Sequence, residues 1–454
     1  MTLEIPSDTP HGAEPPPGAP GLRDAGPAPP AKVQDKAAAY YEMPQWKLMW
    51  RRFRRHRVAL WMLHVVVLLY VLCLNCDFLS PYDPSEIHSH CVDMPPQVVH
   101  AGIVEGFPRL YVHPFVLVQD PVTLERHYWV NREVRLPFRW FVRGQKWRFM
   151  GLIDSDLHLF GVDRKDLPAA APASPAPALA ANLSAASAAS TASTTSTPAT
   201  TPASTSAPAG ASGLSSPLGE NEKATCFLLG TDHLGQDVFS RVLHGGRVSL
   251  LLGLTGVLLT FVLGIAMGGI SGYYGGKVDI VIQRVVEILQ SVPTIPIWLA
   301  MAAAIPKNWT SMEAYFAMTM ILAVIGWTGL CRVVRGKLLA LREEDYARAA
   351  MLAGATERRI IFIHLIPNFL SHIIASLTLS IPGIIMAETS LSYLGLGLRP
   401  PIVSWGVLLQ EANSVSVVVN QPWLLLPGVM VIIAVLAFNF AGDGLRDAAD
   451  PYAT

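Results

Sequence analysis

LREEDYARAAMLAGATERRIIFIHLIPN, residues Leu341 to Asn368, is a polar and charged interruption between two strongly apolar runs. The neighbours suit lipid, so the interruption itself must sit in water at a membrane face. Its pattern predicts two short helices. Glu343, Glu344 and Asp345 fall in the first turn of the first helix, where carboxylates meet the positive end of the helix dipole, and Gly354 is placed to end it. Thr356 is placed to cap the second helix. Pro367 predicts the end of that helix near Leu365, because a proline drives the residue before it out of helical geometry. Ala347, Ala350 and Gly354, three and four apart, form a stripe with almost no side chain, which lets another surface come close.

The rest of the chain has the composition this reading needs. Hydrophobic residues make up 51% of the 454 and charged residues only 15%, with a mean hydropathy of +0.36. That is too apolar for a soluble protein and predicts a polytopic, all-α membrane protein. A formal net charge of zero hides an asymmetry: Lys47, Arg51, Arg52, Arg54, Arg55 and Arg57 crowd before the first apolar run and mark its cytoplasmic end. Their place against a span favours topology over nucleic-acid binding. Gly276-Lys277 and Gly336-Lys337 lack the upstream Gly and following Ser or Thr of a phosphate loop, and neither HExxH nor GxSxG occurs. The expectation is a non-catalytic chain without a cofactor. Cys73 and Cys76 lie at the end of an apolar helix as lipid-facing or packing thiols, and His88, His90 and Cys91 read as surface residues rather than metal ligands. Cys91 and Cys226 fall on the same side of the membrane, where a disulfide between them is permitted.

In chain order, residues 1–45 read as a disordered tail and 46–76 as an amphipathic helix leading into the first span, Val58 to Asn75. Residues 77–166 form a β-rich insert, with strands at Pro114 to Gln119, Arg126 to Val130 and Pro137 to Phe149, the last turned as a hairpin at Gly144. Residues 167–220, almost entirely Ala, Ser, Thr and Pro, are a flexible linker, and 221–247 is an extracytoplasmic gateway segment. Residues 248–454 carry the remaining spans. The second, Leu250 to Ile270, has Gly253, Gly256, Gly264, Gly268 and Gly269 for close packing. The third, Asp279 to Ile305, is broken by Pro293 and Pro296, which points to a pore-lining position. Ala314 to Leu330 is the fourth, and Arg332, Arg335 and Lys337 place its end in the cytoplasm. Phe369 to Leu391 is the fifth, with a kink at Pro382-Gly383 and an intramembrane acid at Glu388, which ties helix ends together or contacts substrate. Trp423 to Phe438 is the sixth.

Several stretches resemble one family. Ala349-Ala350, Gly354 and the ending Leu365-Ile366-Pro367 resemble the "EAA" loop of the inner-membrane permease subunits of ABC importers, with Arg348 where that family has Glu; HLIPN, His364 to Asn368, resembles the peptide-permease branch. RRFRRHRVAL followed by Ser80-Pro81-Tyr82-Asp83-Pro84, GTDHLGQD at Gly230 to Asp237 with Gln236 for the family's Arg, ETSLSYLGLG at Glu388 to Gly397, Ser404-Trp405-Gly406 and the Gly442 to Asp447 ending are similar to the same branch. The segment ending at Leu159-Phe160-Gly161 is similar to an extended loop of one subset, whose task is contact with a binding protein, packing over the pore mouth, or a structural cap. The resemblance implies a type I importer permease fold of six spans in a bacterial plasma membrane, with both termini cytoplasmic. It implies that Tyr346, Ala347, Arg348, Ala349, Ala350, Gly354, Ala355, Thr356, His364 and Pro367 couple to an ATPase. It also implies that Gly230, Thr231, Asp232, Gly235, Asp237 and Arg241 form the gateway, as a cap or in gating. Implied partners are a second, related permease subunit, two ATPase subunits and an extracytoplasmic substrate-binding protein. Readings of another class are an ion-coupled transporter working alone, for which Glu287 and Glu388 are the available carboxylates, and a membrane-anchored receptor.

Overall fold

Basic residues end the first helix and open the second. In the computed structural model, which describes residues 45–104, 107–119, 126–132, 134–149, 153–162 and 226–449, α1 (Gln45–Phe53) carries Arg51 and Arg52 in its last turn, at the negative end of its dipole. His56 then caps α2 (Arg57–Leu74), its Nδ1 accepting from the Ala59 amide at 3.1 Å. Phe53 is buried against Ala59 and Ala448, which ties α1 to the last helix of the chain. The expected tail before residue 45 and the Ala/Ser/Thr/Pro linker lie outside the described residues.

Among the described residues, five stretches are helical, long and apolar enough to cross a membrane: Arg57–Leu74, Val238–Tyr274, Ser311–Leu341, His372–Tyr393 and Pro422–Ala449. The long apolar helix α4 (Val238–Tyr274) has 37 residues, about 55 Å at 1.5 Å per residue, and so outreaches a hydrocarbon core of about 30 Å. It therefore carries the polar turn at Arg241, His244 and Arg247 as well as the span expected from Leu250. The third expected span is different in shape. It is two helices, α5 (Gly276–Ser291) and α6 (Thr294–Ala303), set at 86° to one another. Pro293 stands just before α6 and Pro296 lies in its first turn, where a missing N–H costs nothing, so the prolines start a helix instead of breaking one. In the fifth span, α10 (Leu370–Tyr393) runs through Pro382 without ending.

Small residues set the packing. Gly264, Gly268 and Gly272 face α7 (Ser311–Leu341) so closely that a Cβ at Gly268 would lie 2.7 Å from the Cys331 carbonyl oxygen. Gly253 meets Ile385 of α10 in the same way, at 2.9 Å. The core has two layers. One, around Leu250, Leu252, Leu322, Ile385, Trp405 and Phe438, includes Val66, Leu69 and Cys73 of α2. The other, around Ile265, Leu330, Val334 and Leu338, includes Ala347, Ile360, Leu365, Phe369 and Ile373 of the charged interruption and its exit.

Between α2 and α4 the chain forms strands in three small sheets. β1 (Val99–Val104), β2 (Phe107–Val112) and β5 (Leu136–Pro137) make one, and β3 (Phe115–Gln119) pairs with β4 (Arg126–Val130). β6 (Arg139–Phe149) pairs with β7 (Ile153–Gly161). Gly144 does not turn the chain as expected; it lies inside β6, where the register shifts between Arg143 and Trp147, and a Cβ there would meet the His158 ring at 2.5 Å. Cys226 is a free thiol buried with Val112, Leu136, Phe138 and Phe160, so the disulfide to Cys91 is not formed. Burial pushes that thiol up to about 12. Cys73 and Cys76 are both buried and are packing thiols.

Candidate functional site

The interruption from 342 to 369 is an elbow built of two arms. After α7 ends, Glu344 stands at the N-cap of α8 (Asp345–Leu352) with no side-chain capping bond, so of the three acids only Asp345 occupies its first turn. Glu343 instead accepts from Arg348 at 2.7 Å and from Arg342 at 3.2 Å, and Arg348 holds its carboxyl below the ordinary range. α8 closes as a Schellman motif: Gly354, at φ +76°, donates to Met351 O at 3.0 Å and Ala355 donates to Ala350 O at 3.1 Å. A left-handed residue is required there, and Gly supplies it without strain.

The second arm begins at Thr356 as expected, but the threonine side chain makes no capping bond. Nor does the helix stop at Leu365. It passes from α9 (Glu357–Arg359) through a π-turn, Ile360–Leu365, and a 3-10 turn, Ile366–Phe369, into α10. Ile366, just before Pro367, keeps helical angles of φ −56° and ψ −43°. The change of winding carries the chain past the missing proline N–H, and the helical angles lapse at Phe369, φ −122° and ψ 18°, just before α10.

The small-residue stripe also turns out differently. Ala347 is wholly buried against Ile360, Ile361 and Leu365, with Ala350 and Ala355 beside it, so the stripe brings the two arms of the elbow together. Asn368 fastens the same joint, donating to the Tyr346 hydroxyl at 2.8 Å and to His364 O at 3.2 Å. Among the residues the elbow shows to water are Tyr346, Arg348, Ala349, Gly354, Thr356 and Pro367, together with the apolar Met351, Leu352, Phe362 and Ile363. Leu352 is 90% exposed, more than any other large apolar side chain among the described residues. Small-residue spacing drew attention to the hidden face, and the exposure of Leu352 went unread because a lone Leu two residues before a glycine has no signature.

At the other end, the gateway residues are brought together around one buried cation. Arg241 of α4 is buried, donates from both terminal nitrogens to Glu411 at 2.8 Å, and also bonds Asp232. Glu411 ends α11 (Trp405–Glu411). The other oxygen of Asp232 accepts from the Leu234 and Gln236 amides at 2.9 and 2.8 Å. Thr231 donates to Cys91 O and accepts from the Met94 amide at 2.8 Å, and Trp423 donates to Thr231 O at 3.0 Å. At Gly235, φ +77°, a Cβ would come within 2.1 Å of His88 O. Asp237 caps α4, accepting from the Ser240 amide at 2.9 Å and from its hydroxyl at 2.5 Å. Gly230 and the rest of the segment thus clamp residues 85–97, α4, α11 and Trp423 into one unit. A neighbouring cluster was not foreseen: His244 lies 3.0 Å from Asp77, and Arg247 donates to the second Asp77 oxygen at 2.7 Å. Cys76 completes a set with metal-ligand chemistry, yet the Arg247 guanidinium already holds the carboxylate as an ion pair. His88, by contrast, meets the rings of Tyr82 and Phe227 edge-on.

Glu388 is fully buried. Ser392 and Ser404 donate to one of its oxygens at 2.9 and 2.8 Å, and Ser249 of α4 to the other at 3.2 Å. Each serine then accepts a backbone amide, from Leu398, Val407 and Trp405 respectively. The acid therefore organises the junction of α4, α10 and α11. Pro293 and Pro296 lie on an exposed face of the single chain.

Residues 261–453 match the family model described as binding-protein-dependent transport system inner membrane component, and residues 44–96 match that of the N-terminal TM domain of oligopeptide transport permease C. The chain is 40% identical over 223 residues to the oligopeptide transport system permease protein OppC of Haemophilus influenzae, covering 49% of this chain and 69% of that protein. It is 38% identical over 225 residues to the dipeptide transport system permease protein DppC of Bacillus subtilis, covering 49% and 68%. Among solved structures, an inward-facing MetNI methionine ABC transporter is similar over 46% of this chain and 96% of that one, with a TM-score of 0.37 and 19% identity.

Proposed function

The chain belongs to the family of inner-membrane components of binding-protein-dependent transport systems, and from that premise we propose that it supplies half of the membrane pathway of an ATP-driven importer of di- or oligopeptides. The other half is a second, related permease subunit. Two ATPase subunits bind on the cytoplasmic side and a substrate-binding protein on the other, with both termini of this chain in the cytoplasm and the α5–α6 pair counted as the third of six spans. The cargo is read from the curated relatives, which are oligopeptide and dipeptide permeases by name.

The observation that carries this reading is the elbow. A charged pair of arms, closed between them at Gly354, joins two apolar helices, and its exposed end is apolar at Met351 and Leu352. Work delivered to α8 passes through Ala347 and Ile360 to the 3-10 turn and so into α10, and through Leu338 into α7. Closure of the ATPase dimer then tilts these helices and turns the pathway from outward-open to inward-open. Gly230, Thr231, Asp232, Gly235, Asp237 and Arg241 hold the outer ends together while that happens, and Glu388 ties α10 to α4 and α11.

Uptake of a labelled dipeptide into vesicles carrying the assembled complex tests the proposal. Accumulation is expected only with ATP inside the ATPase-bearing compartment and with the binding protein present. Accumulation without ATP would point to an ion-coupled carrier, and none under any condition to a receptor.

A further inference from the structure

The foot of α4 is gripped from both sides of α8. Gly275 and Gly276, left-handed at φ +65° and +55°, end the helix and send the chain into α5, so Tyr273 and Tyr274 are its last side chains. The final carbonyls of a helix have no partner within it and carry the negative end of its dipole. Arg342, which closes α7 and opens the elbow, donates to one of them, Tyr273 O, at 3.1 Å. Beside it, the Tyr274 hydroxyl donates to the Glu357 carboxylate at 2.5 Å, at the start of α9. Two residues that bracket α8 therefore hold one helix end.

The polar grip supplies what apolar packing there lacks. Gly269 faces Ile361, and a Cβ would fall 3.7 Å from its Cγ2, so α4 offers the second arm almost no side chain at that level. Apolar contact is non-directional, whereas a hydrogen bond fixes distance and direction together. Tyr274 is 52% exposed and Glu357 is exposed, so water competes for the bond and it adds little to the stability of the fold. Its use is to set register. At the far end of the same unbroken helix of 37 residues, Asp237 caps it and Arg241 enters the clamp. His244 and Arg247 hold Asp77 of the short α3 (Cys76–Leu79) there as well.

We propose, on the reading of the elbow as the part an ATPase drives, that the Tyr274–Glu357 bond is a latch which makes α4 follow the elbow. Movement of α8 then reaches the gateway directly along α4, in addition to its routes into α7 and α10. Tyr274 and Glu357 are positioning residues in this scheme, and Arg342 is the second hold on the same helix end.

Uptake of a labelled dipeptide and ATP hydrolysis, measured together in vesicles carrying the assembled complex, test the latch in Tyr274→Phe, Glu357→Leu, the double variant and Glu357→Gln. Peptide taken up per ATP hydrolysed should fall in each single variant by about threefold, the worth of one ordinary hydrogen bond, with the unfolding temperature unchanged. The double variant should fall no further, because both changes remove the same bond. Glu357→Gln keeps an acceptor oxygen for the hydroxyl and should stay near wild type. A wild-type ratio in Tyr274→Phe would overturn the proposal, as would a lowered unfolding temperature with that ratio intact, which is the mark of a merely structural bond. Losses that multiply in the double variant would overturn it too, as would hydrolysis and uptake that fall in step in Glu357→Leu, since both belong to a carboxylate that grips the ATPase. A wild type that takes up nothing, or takes up peptide without ATP, would instead remove the reading on which the latch rests.

Discussion

Arg241 lies almost wholly inside the protein, and Asp232 and Glu411 are the groups that balance its charge. Arg241→Gln leaves a buried carboxylate without its cation, and breaking such a pair by removing one member costs about 3 kcal/mol. A corresponding fall in the thermal stability of the detergent-solubilised chain is expected, with Arg241→Lys failing to restore it, because an ammonium cannot grip Glu411 with two nitrogens. Unchanged stability in Arg241→Gln would remove the clamp from this account. Two neighbours make the same region sensitive to pH. Burial raises the Asp237 carboxyl from 3.8 to about 6, and one of its oxygens has no partner. The folded state holds that proton more tightly, so its contribution to stability is complete below 3.8 and is lost as pH rises through about 6. Burial alone would lower His233, but hydrogen bonds to Asp93 and to Glu411 O outweigh it and raise its pKa above the ordinary 6.5. Its contribution is complete below 6.5 and fades as pH rises through the folded value. Both act in one direction, and unfolding temperature should fall from acid toward neutral pH. Asp237→Asn, which keeps the capping oxygen, should flatten the lower window and His233→Gln the upper; a rise through either window would contradict the assignment. At this scale the motif GTDHLGQD was legible as a unit, whereas Glu411 was not, because it closes the clamp from 170 positions away.

Among the elements, the elbow carries the sharpest expectations. At Gly354 a side chain would meet nothing within 4 Å, yet φ is +76°. Gly354→Val therefore inserts normally but strains the end of α8, at a cost of about 1 kcal/mol or more for a left-handed L-residue. ATP-dependent uptake should drop while the amount of protein in the membrane is unchanged. Leu352→Asp should leave thermal stability alone, since the side chain touches little of its own chain, and reduce uptake about tenfold or more if it is an anchor of the docking surface. Wild-type uptake in Leu352→Asp would mean that the tip docks nothing. The existence and rough place of the apolar helices were legible from composition, but their ends were not. α4 starts at Val238 rather than near Leu250, because Arg241, His244 and Arg247 look like loop residues until their buried partners are known. Pro367 misled in the opposite sense, since a rod that widens to a π-turn and then tightens can pass a proline that a regular helix could not.

For the molecule as a whole, the question is how the clamp around Arg241 and the elbow are joined. α10 runs between them: its start packs in the layer with Ala347 and Leu338, and Glu388 near its end gathers Ser249, Ser392 and Ser404. Glu388→Leu would strand three buried hydroxyls, at about 1–3 kcal/mol each, and should lower expression and stability sharply. Glu388→Gln keeps one acceptor oxygen, which can still receive Ser392 and Ser404, and loses only the bond from Ser249, so it should be tolerated better; equal loss in both would argue for a charge-dependent role instead. The strands between β1 and β7 fall between residues 96 and 261, where the two family models end and begin. Their arrangement was only partly legible, because Gly144 reads as a turn until the His158 ring above it is seen.

Site-specific photo-cross-linking from position 352 in the assembled transporter addresses the central claim most directly. The account predicts an adduct with an ATPase subunit whose yield changes when nucleotide is added. An adduct with no ATPase, or modification of that position by a membrane-impermeant reagent applied outside intact cells, would contradict it.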